Sequence, residues 1–197
     1  MLKGKRSKRI TMFASRKNGF SMPCESSLEK NFCYHLELNE DTKEYRTQGL
    51  QFEIEDFKYT PDFILLTHLN TFKIVEIKPK ENLKSKELTF RLSRVKAYFE
   101  QKNIAFEIVT DEFTNRQPLL SNLIYVYRAA KLPFTKDESQ KALELISNLK
   151  SLSFEKIRET LHTNELPLLI VEQLVIQGEL KVDFNQPISS KTEVFLK

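Results

Sequence analysis

The pattern of apolar and polar positions predicts alternating helices and strands over the first 110 residues of the chain. Apolar residues recur at the spacing of one helix face over about 26–38, and they do so again over 81–102. Short apolar runs bounded by turn residues predict strands between and after these helices, at 51–54, 63–66, 72–78 and 104–109. Because strand, helix and strand follow one another at the end of this part, we expect a parallel crossover there.

The pattern in the rest of the chain is mainly helical. A helix is predicted over 118–130, and Leu132-Pro133 marks a boundary after it, because proline disfavours helix in the preceding residue. The segments 180–184 and 192–196 predict a terminal β-hairpin. Between the boundary and the hairpin, three further helices are predicted, near 135–149, 153–161 and 166–176. Three helices followed by a hairpin resemble a winged helix.

These patterns together predict an α/β fold in which a mixed sheet is flanked by helices. A small winged-helix-like domain is expected to follow it. We therefore divide the chain into a basic N-terminal arm at 1–20, an α/β domain at 21–131 and a winged-helix-like domain at 132–197.

Positive charge is concentrated at the N-terminus of the chain, whose formal net charge is +4. No acidic residue lies within 1–17, and the basic residues there are Lys3, Lys5, Arg6, Lys8, Arg9, Arg16 and Lys17. A basic arm suits binding to DNA, because each phosphate that it neutralises releases a counterion. An ordinary solvated terminus is the alternative. We expect the first five of these residues to contact DNA.

Length and composition narrow the class of protein. With 197 residues and 40% hydrophobic content, the chain can bury a substantial core. No apolar run approaches the ~20 residues that cross a bilayer, and no signal peptide follows the basic start, so we expect a cytoplasmic protein without a membrane partner. Cys24 and Cys33 lack the spacing and neighbours of a zinc site, which favours free thiols.

Two carboxylates and an amine are predicted to meet in the α/β domain. Side chains two apart in a strand share a face, so Glu76 and Lys78 lie side by side within the strand at 72–78. The short segment 67–71 allows a hairpin that brings Asp62 near Glu76. Carboxylate oxygens are the ligands that hard cations such as Mg²⁺ prefer.

Ordinary structural roles exist for the same residues. Asp62 after a proline suits a turn, and Glu76 with Lys78 suits an exposed ion pair. An exposed pair, however, does not explain two charged residues inside so apolar a strand. Glu29 has the spacing to cap the first helix as the partner of Ser26.

Four segments, taken in order, resemble the restriction-endonuclease-like catalytic domain of TnsA-type transposon endonucleases. The resemblance covers about the first 130 residues. It rests on Ser27-Leu28-Glu29-Lys30, Tyr45-Arg46-Thr47-Gln48-Gly49-Leu50-Gln51-Phe52, Tyr59-Thr60-Pro61-Asp62-Phe63 and Val75-Glu76-Ile77-Lys78-Pro79-Lys80. Some members have glutamine where this chain has Glu76.

The resemblance implies a set of roles for the site. Asp62 and Glu76 are the principal ligands of Mg²⁺, for which Mn²⁺ substitutes. The carbonyl of Ile77 joins them, and Glu29 binds a cation directly or through water. Lys78 orients or deprotonates the attacking water. Lys80 is expected either to contact a DNA phosphate or to be an ordinary solvated lysine.

The resemblance also implies a function. The chain is expected to be a Mg²⁺-dependent endonuclease that cuts the 5′ strands at the ends of a cut-and-paste transposon. Its partners are double-stranded transposon-end DNA, a TnsB-type transposase that cuts the 3′ strands and a TnsC-type ATPase regulator. Two alternatives remain open: a stand-alone restriction or repair nuclease, and a non-catalytic subunit that binds or bridges DNA.

Overall fold

A computed structural model describes residues 10–149 and 152–197. The chain divides into two compact units, Met1–Arg116 and Gln117–Lys197. Within the described ranges, no helix combines the length and the apolar character needed to cross a bilayer.

The first unit begins with a β-hairpin and a helix. Strands β1 (Thr11–Ala14) and β2 (Ser21–Cys24) pair antiparallel, and α1 (Ser27–Leu38) follows. The helix begins there because the hydroxyl of Ser26 accepts the backbone N–H of Glu29 at 3.1 Å. The predicted helix over 26–38 is thus confirmed, whereas the arm predicted over 1–20 includes a folded strand, β1.

The rest of this unit alternates strands and helices as the pattern predicts. Ser85 caps α2, whose apolar stripe of Leu92, Val95 and Phe99 is buried. A 3₁₀ turn, Lys80–Lys84, precedes that helix. The elements are β3 (Thr42–Thr47), β4 (Phe52–Ile54), β5 (Phe57–Tyr59), β6 (Phe63–Thr67), β7 (Phe72–Lys78), α2 (Lys86–Glu100), β8 (Ala105–Thr110) and the short α3 (Asp111–Thr114).

Four of these strands form one mixed sheet in the order β3-β6-β7-β8. Strand β6 is antiparallel to both β3 and β7, and β8 runs parallel to β7 after the α2 crossover. The predicted hairpin between 62 and 76 and the predicted parallel crossover are both confirmed. The expected mixed α/β architecture is therefore present, and it is consistent with a nuclease fold.

A smaller hairpin, β4–β5, lies outside the four-stranded sheet and forms a two-stranded sheet of its own. Its buried side chains join an apolar cluster with the central strand β7 and with α2. The cluster consists of Ile54, Tyr59, Ile74, Val95 and Phe99. This packing holds the segment that leads into Asp62.

The described residues of the second unit form four helices and a short strand pair. They are α4 (Leu119–Ala129), α5 (Lys136–Ser147), α6 (Phe154–Thr163), α7 (Ile170–Ile176), β9 (Leu180–Lys181) and β10 (Phe195–Leu196). Thr135 and Glu138 form the capping box that begins α5. The predicted terminal hairpin is present but short. The backbone N–H and side-chain amide of Asn185 both donate to the Asp183 carboxylate, and this forms a turn where the first strand was expected to continue.

The helix α4 packs with α7 in the second unit. The compact units thus divide before this helix, whereas the boundary was predicted after residue 131. The winged-helix interpretation of the C-terminal residues stays a prediction.

Candidate active site

Asp62 and Glu76 lie opposite each other across two adjacent strands. In the antiparallel ladder of β6 and β7, Phe63 pairs with Val75, and continuing that register by one residue places Asp62 opposite Glu76. Both carboxylates contact one ammonium group. The Nζ atom of Lys78 lies 3.3 Å from Asp62 Oδ2 and 2.5 Å from Glu76 Oε1. The predicted convergence of these three side chains is therefore present in the structure.

The backbone at Ile77 completes this arrangement. Its N–H donates to Asp62 Oδ2 at 2.7 Å, and its carbonyl accepts from Lys78 Nζ at 3.1 Å. The Lys78 ammonium thus contacts three oxygens, one each from Asp62, Glu76 and Ile77. These are the same groups, apart from Glu29, that the sequence nominates as ligands for a metal ion.

Burial shapes the charge of this cluster. The pKa of Asp62 is raised from 3.8 to about 6, first by burial and then by the negative charge of Glu76, while Lys78 and the Ile77 N–H oppose the rise. Burial also acts against the charged form of Lys78. The two carboxylates outweigh that effect and raise the pKa of Lys78, so the amine is a cation in this arrangement.

Tyr59 holds the second oxygen of Glu76. The phenol donates to Glu76 Oε2 at 2.6 Å, and both side chains are buried. Burial raises the pKa of Tyr59, so the hydroxyl keeps its proton and remains a donor. The sequence pattern alone predicts no role for Tyr59. Its position three residues before Asp62, in a segment that resembles the nuclease motif, is the signal that points to it.

Glu29 lies at the N-terminus of α1, where it is bonded locally. Its carboxylate accepts from the Ser26 hydroxyl at 2.7 Å and from the Glu25 backbone N–H at 2.8 Å. Its charge contributes to the raised pKa of Asp62. Glu29 and Ser26 are thus bonded to each other, although the carboxylate accepts from the Ser26 hydroxyl and the Glu25 N–H rather than from the Ser26 backbone N–H of a capping box. A role for Glu29 as a metal ligand stays a prediction.

The described residues contain no group of three or more His, Cys, Asp or Glu side chains arranged to hold a metal ion. The donor set near Lys78 consists instead of two carboxylates and one carbonyl. All three are oxygen donors, which suit a hard cation, and a cation already lies among them as the lysine ammonium. The residues therefore fit Mg²⁺ or Mn²⁺, provided that the ammonium moves aside.

Among the residues expected to contact DNA, Lys80 lies within the described part of the chain. Lys80 Nζ pairs with Glu112 at 2.6 Å, and its backbone N–H donates to Asp111. Contact between Lys80 and a phosphate stays a prediction. The remaining nominated residues, Lys3, Lys5, Arg6, Lys8 and Arg9, lie outside the described residues.

Comparison with known families identifies the segment that contains the cluster. A family model described as "TnsA-like endonuclease N terminal" matches residues 34–111, which include Tyr59, Asp62, Glu76 and Lys78. No curated protein matches the chain. The resemblance that the motifs predict is thereby confirmed: residues 34–111 form a TnsA-like endonuclease domain, which implies nuclease activity.

Proposed function

We propose that this protein is the Mg²⁺-dependent endonuclease subunit of a heteromeric cut-and-paste transposase, and that it cleaves the 5′ strands at the transposon ends. One observation carries the proposal. Within a TnsA-like domain, the buried carboxylate of Glu76 and the half-buried carboxylate of Asp62, which face each other on adjacent strands of the sheet, converge on one lysine. Buried acidic groups that face each other are costly, and such arrangements are concentrated at functional sites.

Asp62, Glu76 and the carbonyl of Ile77 would hold the cation, and Glu29 would add a ligand directly or through water. Mg²⁺ supplies stabilisation of negative charge on the attacking and leaving oxygens of a phosphodiester. The aspartate is already oriented for this role, because the Ile77 N–H fixes one of its oxygens at 2.7 Å.

Lys78 acts on the attacking water and on the scissile phosphate. Its ammonium is a hydrogen-bond donor that contacts both carboxylates. A shift away from them would bring it within reach of an oxygen of the attacking water or of the phosphate. From there it orients the water and stabilises negative charge on the phosphate. Deprotonation of the water, the other role that the sequence suggests for this amine, needs the neutral form, which the raised pKa of Lys78 disfavours while both carboxylates contact it.

The substrate and partners follow from the resemblance. Double-stranded DNA at the transposon ends is the substrate, and the basic residues near the N-terminus bind its phosphates. A TnsB-type transposase cuts the 3′ strands, and a TnsC-type ATPase regulates the assembly. Recognition of the end sequence falls to the transposase.

Reconstituted end cleavage tests the proposal. The full-length chain is mixed with its cognate transposase and ATPase and with end DNA that carries different labels on the two strands. We expect cuts on the 5′ strands that need both Mg²⁺ and the partners, and that disappear with Asp62→Ala. Cleavage of DNA by the chain alone would favour a stand-alone nuclease. Unchanged 5′ cleavage by the Asp62→Ala protein would favour a DNA-binding or bridging role.

A further inference from the structure

The hydroxyl of Tyr59 is the only polar group of a side chain that otherwise packs in the apolar cluster beside Glu76. The ring lies 6.2 Å from that of Phe99, and the residue is 5% exposed. From this position the hydroxyl reaches Glu76 Oε2 at 2.6 Å. Such a short bond to a carboxylate is strong, because one partner is ionised.

We propose that Tyr59 is a positioning residue for the metal site: its hydroxyl fixes the Glu76 carboxylate so that the other oxygen faces Asp62 and the cation. This inference rests on the proposed function. It assigns Tyr59 to the set of residues that hold a metal ligand in place rather than to the residues that contact the metal.

The two oxygens of Glu76 have different partners. Tyr59 binds Oε2, whereas Lys78 binds Oε1 at 2.5 Å. A carboxylate that is bonded at both oxygens cannot rotate about its terminal bond without losing one of these two contacts. Because the Glu76 side chain is only 8% exposed, water has little access to replace a lost partner. The tyrosine hydroxyl therefore determines which oxygen is available to a cation.

The β4–β5 hairpin that carries Tyr59 is itself fastened to α2. Arg91 donates to the carbonyl of Lys58 at 3.2 Å, one residue before Tyr59, and its guanidinium lies 4.8 Å from the centre of the Phe57 ring. Arg94 forms ion pairs with Glu55 and Asp56 at the tip of the hairpin. These contacts hold the β4–β5 hairpin on α2, and the hairpin in turn holds the Tyr59 phenol against Glu76.

A hydrogen bond that holds a metal ligand in place has a strong influence on metal affinity. Removing a hydrogen bond that orients a metal ligand typically weakens binding by roughly 10–100-fold. Tyr59→Phe removes the hydroxyl and keeps the ring, so the apolar packing with Phe99 is preserved. We therefore expect weaker binding of the cation from a variant that folds normally.

A second tyrosine provides a matched control. Tyr45 donates to a different buried carboxylate, Glu37, also at 2.6 Å, and it is 1% exposed. Tyr45→Phe therefore removes the same chemical group from the same kind of bond, but it does so at a carboxylate with no proposed part in metal binding. A general effect of losing a buried hydrogen bond would be the same in both variants.

The experiment is a titration of Mn²⁺ into the full-length wild type and both variants, with free Mn²⁺ measured by its paramagnetic resonance signal. Circular dichroism first establishes that each protein is folded. We expect Tyr59→Phe to raise the dissociation constant at least about tenfold, and Tyr45→Phe to change it less than about twofold. Equal constants for wild type and Tyr59→Phe would overturn the inference while leaving the proposed function intact. Equal weakening in both variants would overturn it as well.

Failure of the wild type to bind Mn²⁺ would instead contradict the metal-dependent function itself. Should Tyr59→Phe not fold, the double variant Arg91→Ala/Arg94→Ala decides the question, because it removes the guanidinium contacts of both arginines with the hairpin without altering a buried side chain. Weaker Mn²⁺ binding by that variant is then expected, and unchanged binding would overturn the inference.

Discussion

The Nζ atom of Lys78 lies 2.5 Å from Oε1 of Glu76, and it contacts Asp62 from the same position. A single ammonium thus neutralises part of the charge of two carboxylates that face each other across adjacent strands. The same two acids are the proposed ligands of a divalent cation. Binding of that cation therefore requires Lys78 to move, and the move frees the amine to act on water or phosphate.

Lys78→Ala is expected to abolish cleavage while leaving metal and DNA binding in place. The carboxylates remain, but the donor that orients water and stabilises charge is lost, which typically costs about 100-fold or more in rate. Strand-specific cleavage in the reconstituted end complex is the measurement. Lys73→Ala is the control, because Lys73 lies on the same strand and pairs with Glu107 instead. Nicking by Lys78→Ala at the wild-type rate would remove this lysine from the mechanism.

Asp62→Asn is expected to stabilise the metal-free protein above about pH 6. The pKa of Asp62 is raised from 3.8 to about 6, so the folded state holds this proton more tightly than the unfolded state. The contribution of Asp62 to the free energy of unfolding therefore falls as the pH rises through this window. Above it, the variant should gain on the order of 1–3 kcal/mol, and the gain should shrink towards pH 4.

The measurement is urea unfolding of both proteins in the presence of a chelator, at several pH values between 4 and 8. The Ile77 N–H still finds an acceptor, since the asparagine retains a side-chain carbonyl. Parallel stability curves for the two proteins would contradict the raised pKa.

Truncation of the basic arm is expected to weaken DNA binding and its dependence on salt. Removing residues 1–17 would also remove β1, and Lys17 donates to the carbonyl of Thr42 at 2.5 Å within the folded unit. Deletion of residues 1–9 avoids both problems and takes away Lys3, Lys5, Arg6, Lys8 and Arg9. Up to about five phosphate contacts would be lost. The negative slope of log K against log salt should therefore become shallower by up to about 4–5.

Titration of labelled end DNA at several salt concentrations provides that slope. A truncated protein with the wild-type slope would show that the arm makes no phosphate contacts.

An ion pair in the C-terminal unit joins a fully buried carboxylate to a half-buried arginine. Glu172 is fully buried, and its Oε1 accepts from Tyr125 at 2.7 Å and pairs with Arg158. Arg158→Ala leaves that carboxylate without its counter-charge and should lower the free energy of unfolding of this unit by about 3 kcal/mol. Lys156→Ala removes an exposed pair with Glu159 on the same helix and should cost less than about 1 kcal/mol. Equal losses in urea unfolding would contradict this account.

The sequence predicts the central β6–β7 hairpin well, because the residues that determine the hairpin are close together in the chain. Two apolar runs and a short connection are sufficient to place Asp62 opposite Glu76, and the two-residue period then places Lys78 beside Glu76. Strand β3 is harder to predict, since its exposed positions carry charged and polar residues such as Lys43 and Glu44.

The role of Tyr59 cannot be predicted from such patterns. Its contact with Glu76 depends on how a separate two-stranded sheet packs against α2, which joins residues far apart in the chain. The boundary between the compact units also depends on contacts between residues far apart in the chain, because α4 packs with α7, which follows about fifty residues later. Glu29 fits both a cap and a ligand, and its sequence position does not distinguish them.

A crystal structure of the full-length protein grown with Mn²⁺, with anomalous diffraction measured at the manganese edge, tests the central claim most directly. The account predicts an anomalous peak about 2.1 Å from oxygens of both Asp62 and Glu76, with the Lys78 amine displaced from its present position between them. A map without a peak at these carboxylates, in which Lys78 still contacts both, would contradict it.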